Sequence, residues 1–255
     1  MRAWLDAVRG TLPILKRELI SLYTTPIAWV TTAAFLLVQG FYFFLLLLTF
    51  AAQQDVVEGV GPAEAFFGQS AFFYFPLVLI CPILTMRLFA EERRSGTIEA
   101  LLTAPVGTAG VVLGKYLATL VTYVAMWAPT ALYMVILTRF GQIDWRTVGT
   151  GYLGVFLVGA AYLSVGTLAS SLTTSQLAAA VGSAVFILTV FLLGFGGPFV
   201  ESETLRSICT HISVSSLMED FSRGLVDSRR LVFWGSFTLV PLYVTARNVE
   251  SWRWG

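Results

Sequence analysis

From Ile27 to Ala51 no side chain carries a charge. A run of that length crosses the roughly 30 Å of bilayer hydrocarbon as a single helix. Within lipid, only helices and closed barrels satisfy every backbone polar group. Comparable stretches recur at 71–90, 111–138, 149–172, 177–199 and 231–246. The expected fold class is therefore all-α: a polytopic membrane protein with six transmembrane helices, the last of them the shortest. Charged residues make up 12% of the chain, about half the fraction usual in a soluble domain. No polar segment is long enough to hold a core of its own, so residues 1–255 read as one transmembrane domain. Pro76, Pro82, Pro129 and Pro241 fall inside spans and should kink them.

Orientation follows from the bases. With a cytoplasmic N-terminus, ten fall inside (Arg2, Arg9, Lys16, Arg17, Arg87, Arg93, Arg94, Lys115, Arg247 and Arg253) and six outside. The first outer loop, Gln53 to Gln69, has three acids and no base. Both termini are thus expected in the cytoplasm, with Trp252 and Trp254 anchoring the last helix at the inner interface.

Before the first span, Leu12, Leu15, Leu19 and Leu22 recur at helical spacing while Lys16, Arg17 and Glu18 occupy other faces. That pattern suits an amphipathic helix over 12–23 lying in the membrane surface. The charges interrupt any signal-peptide h-region, and Thr24-Thr25-Pro26 marks a fresh helix start.

Between spans two and three lies the densest charge of the chain, Glu91-Glu92-Arg93-Arg94-Ser95-Gly96-Thr97-Ile98-Glu99-Ala100-Leu101-Leu102-Thr103-Ala104-Pro105. Gly96 can serve as N-cap with Glu99 reaching back, Ser95 being the rival cap. Pro105 should end the helix at Ala104. Ile98, Leu101 and Leu102 then share one face. So short a helix must pack on something to persist; the alternative is a solvated loop whose apolar residues dip into the lipid headgroups.

Residues 204–226, between spans five and six, are expected on the outer face as two short amphipathic helices. Leu205, Ile208 and Ile212 mark the first. Ser216-Leu217-Met218-Glu219 reads as a capping box opening the second, with Leu217, Phe221 and Leu225 on its apolar face. These helices either gate the outer end of a path or form a structural hairpin on the headgroups.

Catalytic and ligand motifs fail. Ala109-Gly110-Val111-Val112-Leu113-Gly114-Lys115-Tyr116 lacks the first glycine and the closing hydroxyl of a phosphate-binding loop, and it enters a span. Glu91-Glu92 has Gly96 where an intramembrane protease of the Glu-Glu-x-x-x-Arg type has arginine. His211 is the single histidine, which rules out a two-histidine zinc motif. Mid-span ionisable groups, which ion-coupled transporters need, are missing. No bound cofactor, metal or nucleic acid is expected. Small residues crowd the fourth span (Gly151, Gly154, Gly159, Ala160, Ser164, Gly166, Ser170) and permit close packing against an unspecified helix.

The stretch from Glu91 to Val106, followed by Leu113-Gly114-Lys115-Tyr116, resembles the cytosolic signature of type-2 ABC transporter permeases. Lys16-Arg17-Glu18-Leu19 with Pro26-Ile27-Ala28, and Phe221-Ser222-Arg223-Gly224-Leu225-Val226-Asp227, resemble its gliding-motility-associated branch. The resemblance implies a permease subunit of an exporter in the bacterial inner membrane, itself not an enzyme. ATP and Mg would be held by a separate ATPase subunit. A second permease copy, identical or related, would complete a dimer in contact with membrane lipids, and a periplasmic component is left open.

The resemblance further implies that residues 97–104 form a coupling helix, with Glu91, Glu92, Arg93, Arg94, Gly96, Thr97, Ile98, Glu99, Leu101 and Leu102 meeting the ATPase. Leu12, Leu15, Lys16, Arg17, Glu18 and Leu19 would belong to an elbow helix. Ser216, Leu217, Glu219, Phe221, Arg223 and Gly224 are the candidate outer gate. The rival reading keeps this architecture but makes the chain a mechanotransmitter or membrane anchor for a motility or envelope complex. Such a role usually calls for a sizeable periplasmic stalk, which the sequence lacks.

Overall fold

The structure is a computed structural model that describes residues 10–52, 61–68, 71–98, 107–139, 143–196 and 202–252. Among the described residues the chain is helical, without strands. Helix α1 spans Thr11–Thr24 and stops at Thr25, whose extended backbone is what a residue before proline prefers. Pro26 then opens α2, Pro26–Ala52.

Among the described residues five helical segments are long and apolar enough to cross a membrane: Pro26–Phe50, Phe73–Ser95, Thr108–Leu137, Trp145–Leu172 and Gln176–Leu193. The stretch expected as a sixth span, 231–246, lies within a longer helix, α12, Ser228–Ser251. Its uncharged part is bounded by Arg230 and Arg247, and at 1.5 Å per residue it covers only about 24 Å. That is why it falls short by length and apolarity together.

The expected second span, 71–90, is two helices. α4 (Ala71–Thr85) is followed by a turn over 86–89 and then by α5 (Ala90–Ser95). Pro76 and Pro82 lie inside α4. The third span is divided at Pro129: α6 (Thr108–Trp127) gives way to a 3-10 turn, Ala128–Thr130, and then to α7, Ala131–Leu137. Proline lacks the amide hydrogen that would continue the ladder. The fourth, α8, starts at Trp145 because the Asp144 carboxylate caps the Arg146 amide at 2.9 Å. The fifth, α9 (Gln176–Leu193), ends six residues before the expected Phe199, where Gly194 and Gly196 remove helix-favouring side chains.

Helix α8 is the axis of the bundle. Of its apolar window 72% is buried, against 17% for Pro26–Phe50 and 28% for α9. The neighbours of its small residues are now defined. Gly159 faces the ring of Tyr123 on α6, Gly166 faces Thr85 on α4, and a Cβ at Gly154 would come 2.7 Å from Met218 Sδ. That proximity lets tyrosines of α6 reach the α8 backbone: Tyr123 donates to the Val155 carbonyl at 3.0 Å and Tyr116 to that of Ala160 at 3.1 Å. Inside a bilayer such bonds replace the water that the phenols lack.

At the end of the bundle away from Lys115, the segment expected as a plain loop contains a short helix, α3 (Pro62–Gly68), with Phe66 and Phe67 fully buried. Two further helices follow α9: α10 (Glu203–Ile212) and α11 (Val214–Ser222). The capping box at Ser216 is corrected: Ser213 is the N-cap, its hydroxyl accepting from the Ser216 amide. Glu219 is therefore mid-helix and pairs with Arg223 at 2.9 Å. Leu217 and Phe221 are buried as the spacing requires, but Leu225 lies beyond the helix end and is exposed.

Candidate functional site

The polar stretch leads into a cluster of charges at the Lys115 end of the bundle. α1 lies along α6 because Gly114 lets it come close: a Cβ there would sit 2.9 Å from Ile14 Cγ2 and 3.0 Å from the Thr11 carbonyl oxygen. The buried face of α1 is Thr11, Ile14 and Leu22. Leu15 and Leu19 flank it, and Leu12 is exposed.

This approach brings four charges together. Lys115, 1% exposed, places Nζ 3.0 Å from Glu18 Oε1 and 2.8 Å from Glu92 Oε1. Arg17 reaches the same two oxygens with Nη2 at 2.7 and 2.8 Å. Two cations and two carboxylates thus close a clamp joining α1, α5 and α6. Phe89 lies under Lys115 at 5.4 Å, a cation–π contact. Burial acts on Glu18 to raise its carboxyl, but the Lys115 charge and the bonds from Arg17 and Lys115 outweigh it and hold the group below the usual glutamate range. The Arg17 guanidinium is raised chiefly by its bond to Glu18. The second oxygen of Glu92 is buried and accepts no hydrogen bond among the described residues.

A second set of bonds fixes α5 against α8. Ser170 Oγ accepts from the amides of Phe89 and Ala90 at 3.1 and 3.2 Å and donates to the Met86 carbonyl at 3.0 Å. One hydroxyl therefore satisfies the backbone groups freed by the break between α4 and α5. Arg93 donates to the Ser171 carbonyl at 3.1 Å, at the C-terminal end of α8 where a cation is favoured. Its guanidinium stacks on Trp252 at 4.7 Å. Trp252 is thereby occupied inside the bundle, against Arg93 and Phe89. Asn248 of α12 donates to the same Ser171 carbonyl, and Gln176 of α9 donates to Glu91.

Gly96 corrects the expected N-cap. It closes α5 as a C-cap in the left-handed region, φ +72°, which glycine adopts without strain. Ser95 bonds back to the Glu91 carbonyl and to the Thr97 hydroxyl. Arg94 and Thr97 are exposed, and Ile98 packs on the core. Glu99, Leu101 and Leu102 lie outside the described residues, as do Pro105 and Trp254.

At the far end, Arg223 pairs with Glu64 of α3 at 3.2 Å. Arg230 of α12 bonds Asp220 and the Ser216 hydroxyl at 2.8 and 3.0 Å. Gly224 closes α11 at φ +74°. The gate candidates therefore hold α11 to α3 and α12.

A profile of the family described as ABC-2 family transporter protein matches residues 57–222, well over half of the 255-residue chain. The chain belongs to that family. An ABC-2 protein is a membrane transport subunit, and membership implies association with an ABC ATPase. With the span-forming helices, it makes this chain an integral membrane protein. No curated protein sequence matches the chain. The matched region of this ABC-2 chain includes α5, Lys115 and the α10–α11 pair.

The sequence placed Lys115 among the inner bases, in a failed phosphate-loop pattern and in the family signature, but gave it no partner, and it placed Ser170 only among the small residues of the fourth span. The available signal was a lysine inside an apolar segment, directly after a glycine. Such a lysine needs a buried acid, and Glu18, Glu91, Glu92 and Glu99 were the candidates that the sequence offered on the same side.

Proposed function

We propose that this chain is the permease subunit of an ABC exporter in a bacterial inner membrane, with both termini cytoplasmic and α12 as its sixth span. In this reading α1 is the elbow helix. Residues 97–104 form the coupling helix, setting Ile98, Leu101 and Leu102 into a groove on the ATPase. Glu91, Glu92, Arg93, Arg94, Gly96, Thr97 and Glu99 act with them. ATP and Mg sit on the ATPase, and two permease copies form the working dimer. The α10–α11 pair closes the outer end of the path through Ser216, Leu217, Glu219, Phe221, Arg223 and Gly224. Within the family the chain falls nearest the gliding-motility-associated branch, on the Lys16–Leu19 and Phe221–Asp227 stretches.

The observation that carries this reading is the four-charge clamp. Arg17, Glu18, Glu92 and Lys115 fix the helix entering residues 97–104 to the helix leaving them and to α1. A stroke delivered to that short segment is then passed to three elements together rather than dissipated in a slack loop.

Leu101→Asp is the test. A charge with no partner at an apolar interface carries a large desolvation cost. The variant should insert normally yet lose its ATPase on co-purification and lose transport. Full association and full transport in Leu101→Asp would overturn the coupling role.

A further inference from the structure

When the clamp has paired Arg17 and Lys115 with Glu18 and Glu92, two charges beside it have no counter-ion among the described residues. Arg87, two residues past the end of α4, is half-buried and forms no hydrogen bond or ion pair with any described residue. Glu91 is half-buried too, and among the described residues its carboxylate meets only the neutral amide of Gln176. Although four residues apart, the two do not pair, since the turn over 86–89 interrupts the helix between them. Both line a cavity of about 250 Å³ between α1 and the α4–α5 break, with the Lys115–Glu92 pair at its side and Leu22, Leu84 and Leu88 as its apolar wall.

We propose that this cavity binds a zwitterionic headgroup bearing a phosphate and a primary ammonium, the phosphate on Arg87 and the ammonium on Glu91. A guanidinium matches two phosphate oxygens in one plane, and an ammonium brings three donors to a carboxylate. The charges lining the cavity argue for a zwitterion: three bases and three acids sum to zero. A purely anionic headgroup would leave Glu91 facing a second negative group, and a lone cation would leave Arg87 unpaired. The volume is slightly below that of sites enclosing a drug-sized ligand, roughly 300–1,000 Å³, so a headgroup fits but a whole lipid does not. The leucine wall supplies an apolar exit for acyl chains. A membrane phospholipid and a soluble phosphoamine share the recognised chemistry.

The experiment is native mass spectrometry of the purified, delipidated full chain. It is titrated with phosphatidylethanolamine, phosphatidylcholine, phosphatidylglycerol and soluble glycerophosphoethanolamine. Phosphatidylcholine keeps the phosphate but has no N–H, and phosphatidylglycerol has no ammonium. Phosphatidylethanolamine should be retained about tenfold better than either, a difference of about 1.4 kcal/mol. Arg87→Gln and Glu91→Gln should each erase that preference, whereas Arg94→Gln, at an exposed cation off the cavity, should keep it. Arg87 has no partner among the described residues, so its removal should leave the bundle intact, which a melting curve verifies. Displacement by glycerophosphoethanolamine at equal concentration assigns the site to a soluble phosphoamine; resistance to it assigns the site to the lipid. Equal retention of all three lipids, or an undiminished preference in both cavity variants, would overturn the proposal. The assay contains no ATPase, so its outcome is independent of the coupling role.

Discussion

Lys115 Nζ lies 2.8 Å from Glu92 Oε1, although the whole polar connection separates the two residues in the chain. The contact closes that connection at its base. Whatever residues 97–104 do, they do it between two helices that are tied together.

Removing the lysine should be costly. Lys115→Met leaves Glu18 and Glu92 facing each other with Arg17 as their one counter-ion, and breaking a buried pair typically costs about 3–5 kcal/mol. Thermal unfolding in detergent should register a large drop. Adding Glu18→Gln and Glu92→Gln should recover most of it; a triple variant as unstable as Lys115→Met would assign the loss to packing instead.

Acid should weaken the same clamp. Glu18 is held below the ordinary glutamate range, so its contribution is complete above that range. The contribution is lost as the pH falls through the lowered folded value. The acid limb of the stability–pH curve should therefore flatten in Glu18→Gln, and an unchanged limb would count against the clamp as its source.

Gly114 is tested by one methyl group. In Gly114→Ala the new Cβ meets Ile14 and the Thr11 carbonyl at about 3 Å, a crowding that usually costs about 1–3 kcal/mol. α1 should be pushed off α6, seen as faster labelling of a cysteine placed at Ile14. Shortening the neighbour with Ile14→Ala removes the Cγ2 contact, leaving those of its own Cβ and of the Thr11 carbonyl, and should restore part of the stability in the double variant.

Gly96 should tolerate asparagine but not valine. Its φ of +72° is a conformation in which a side chain costs about 1–2 kcal/mol, least for asparagine and most for a β-branched residue. Open space surrounds the position, so a steric clash cannot explain a loss. Gly96→Val should lower ATPase co-purification well below Gly96→Asn; equal values would mean that the turn is not needed.

Much of the scaffold was legible in the sequence because apolar length and proline position act locally. Thr25-Pro26 set the border between α1 and α2, and Pro129 broke the third span where expected. What stayed hidden depends on partners far along the chain. Gly96 read as the start of a helix because nothing in the sequence indicated that α5 would continue beyond α4 and need a left-handed end. The break between those helices persists because Ser170, some eighty residues away, satisfies its amides. Ser216 read as a cap because its capping-box spacing was good, but Ser213 sits where the chain turns out of α10 and takes the position first. The clamp itself is assembled from residues read separately, Arg17 and Glu18 on the elbow helix, Glu92 facing the ATPase and Lys115 among the inner bases, and the approach allowed by Gly114 brings them together.

The burial of Trp145–Leu172 divides the molecule's labour. Helix α8 is mostly enclosed by its own bundle, and the surface it keeps includes the wall that Val165, Leu168, Ala169 and Leu172 share with α9 and α12 in an apolar cavity of about 670 Å³. Substitutions that alter what is carried should therefore map to the outward faces of Pro26–Ala52 and Gln176–Leu193 and to that shared wall, while changes along the enclosed remainder of α8 should affect whether the protein assembles.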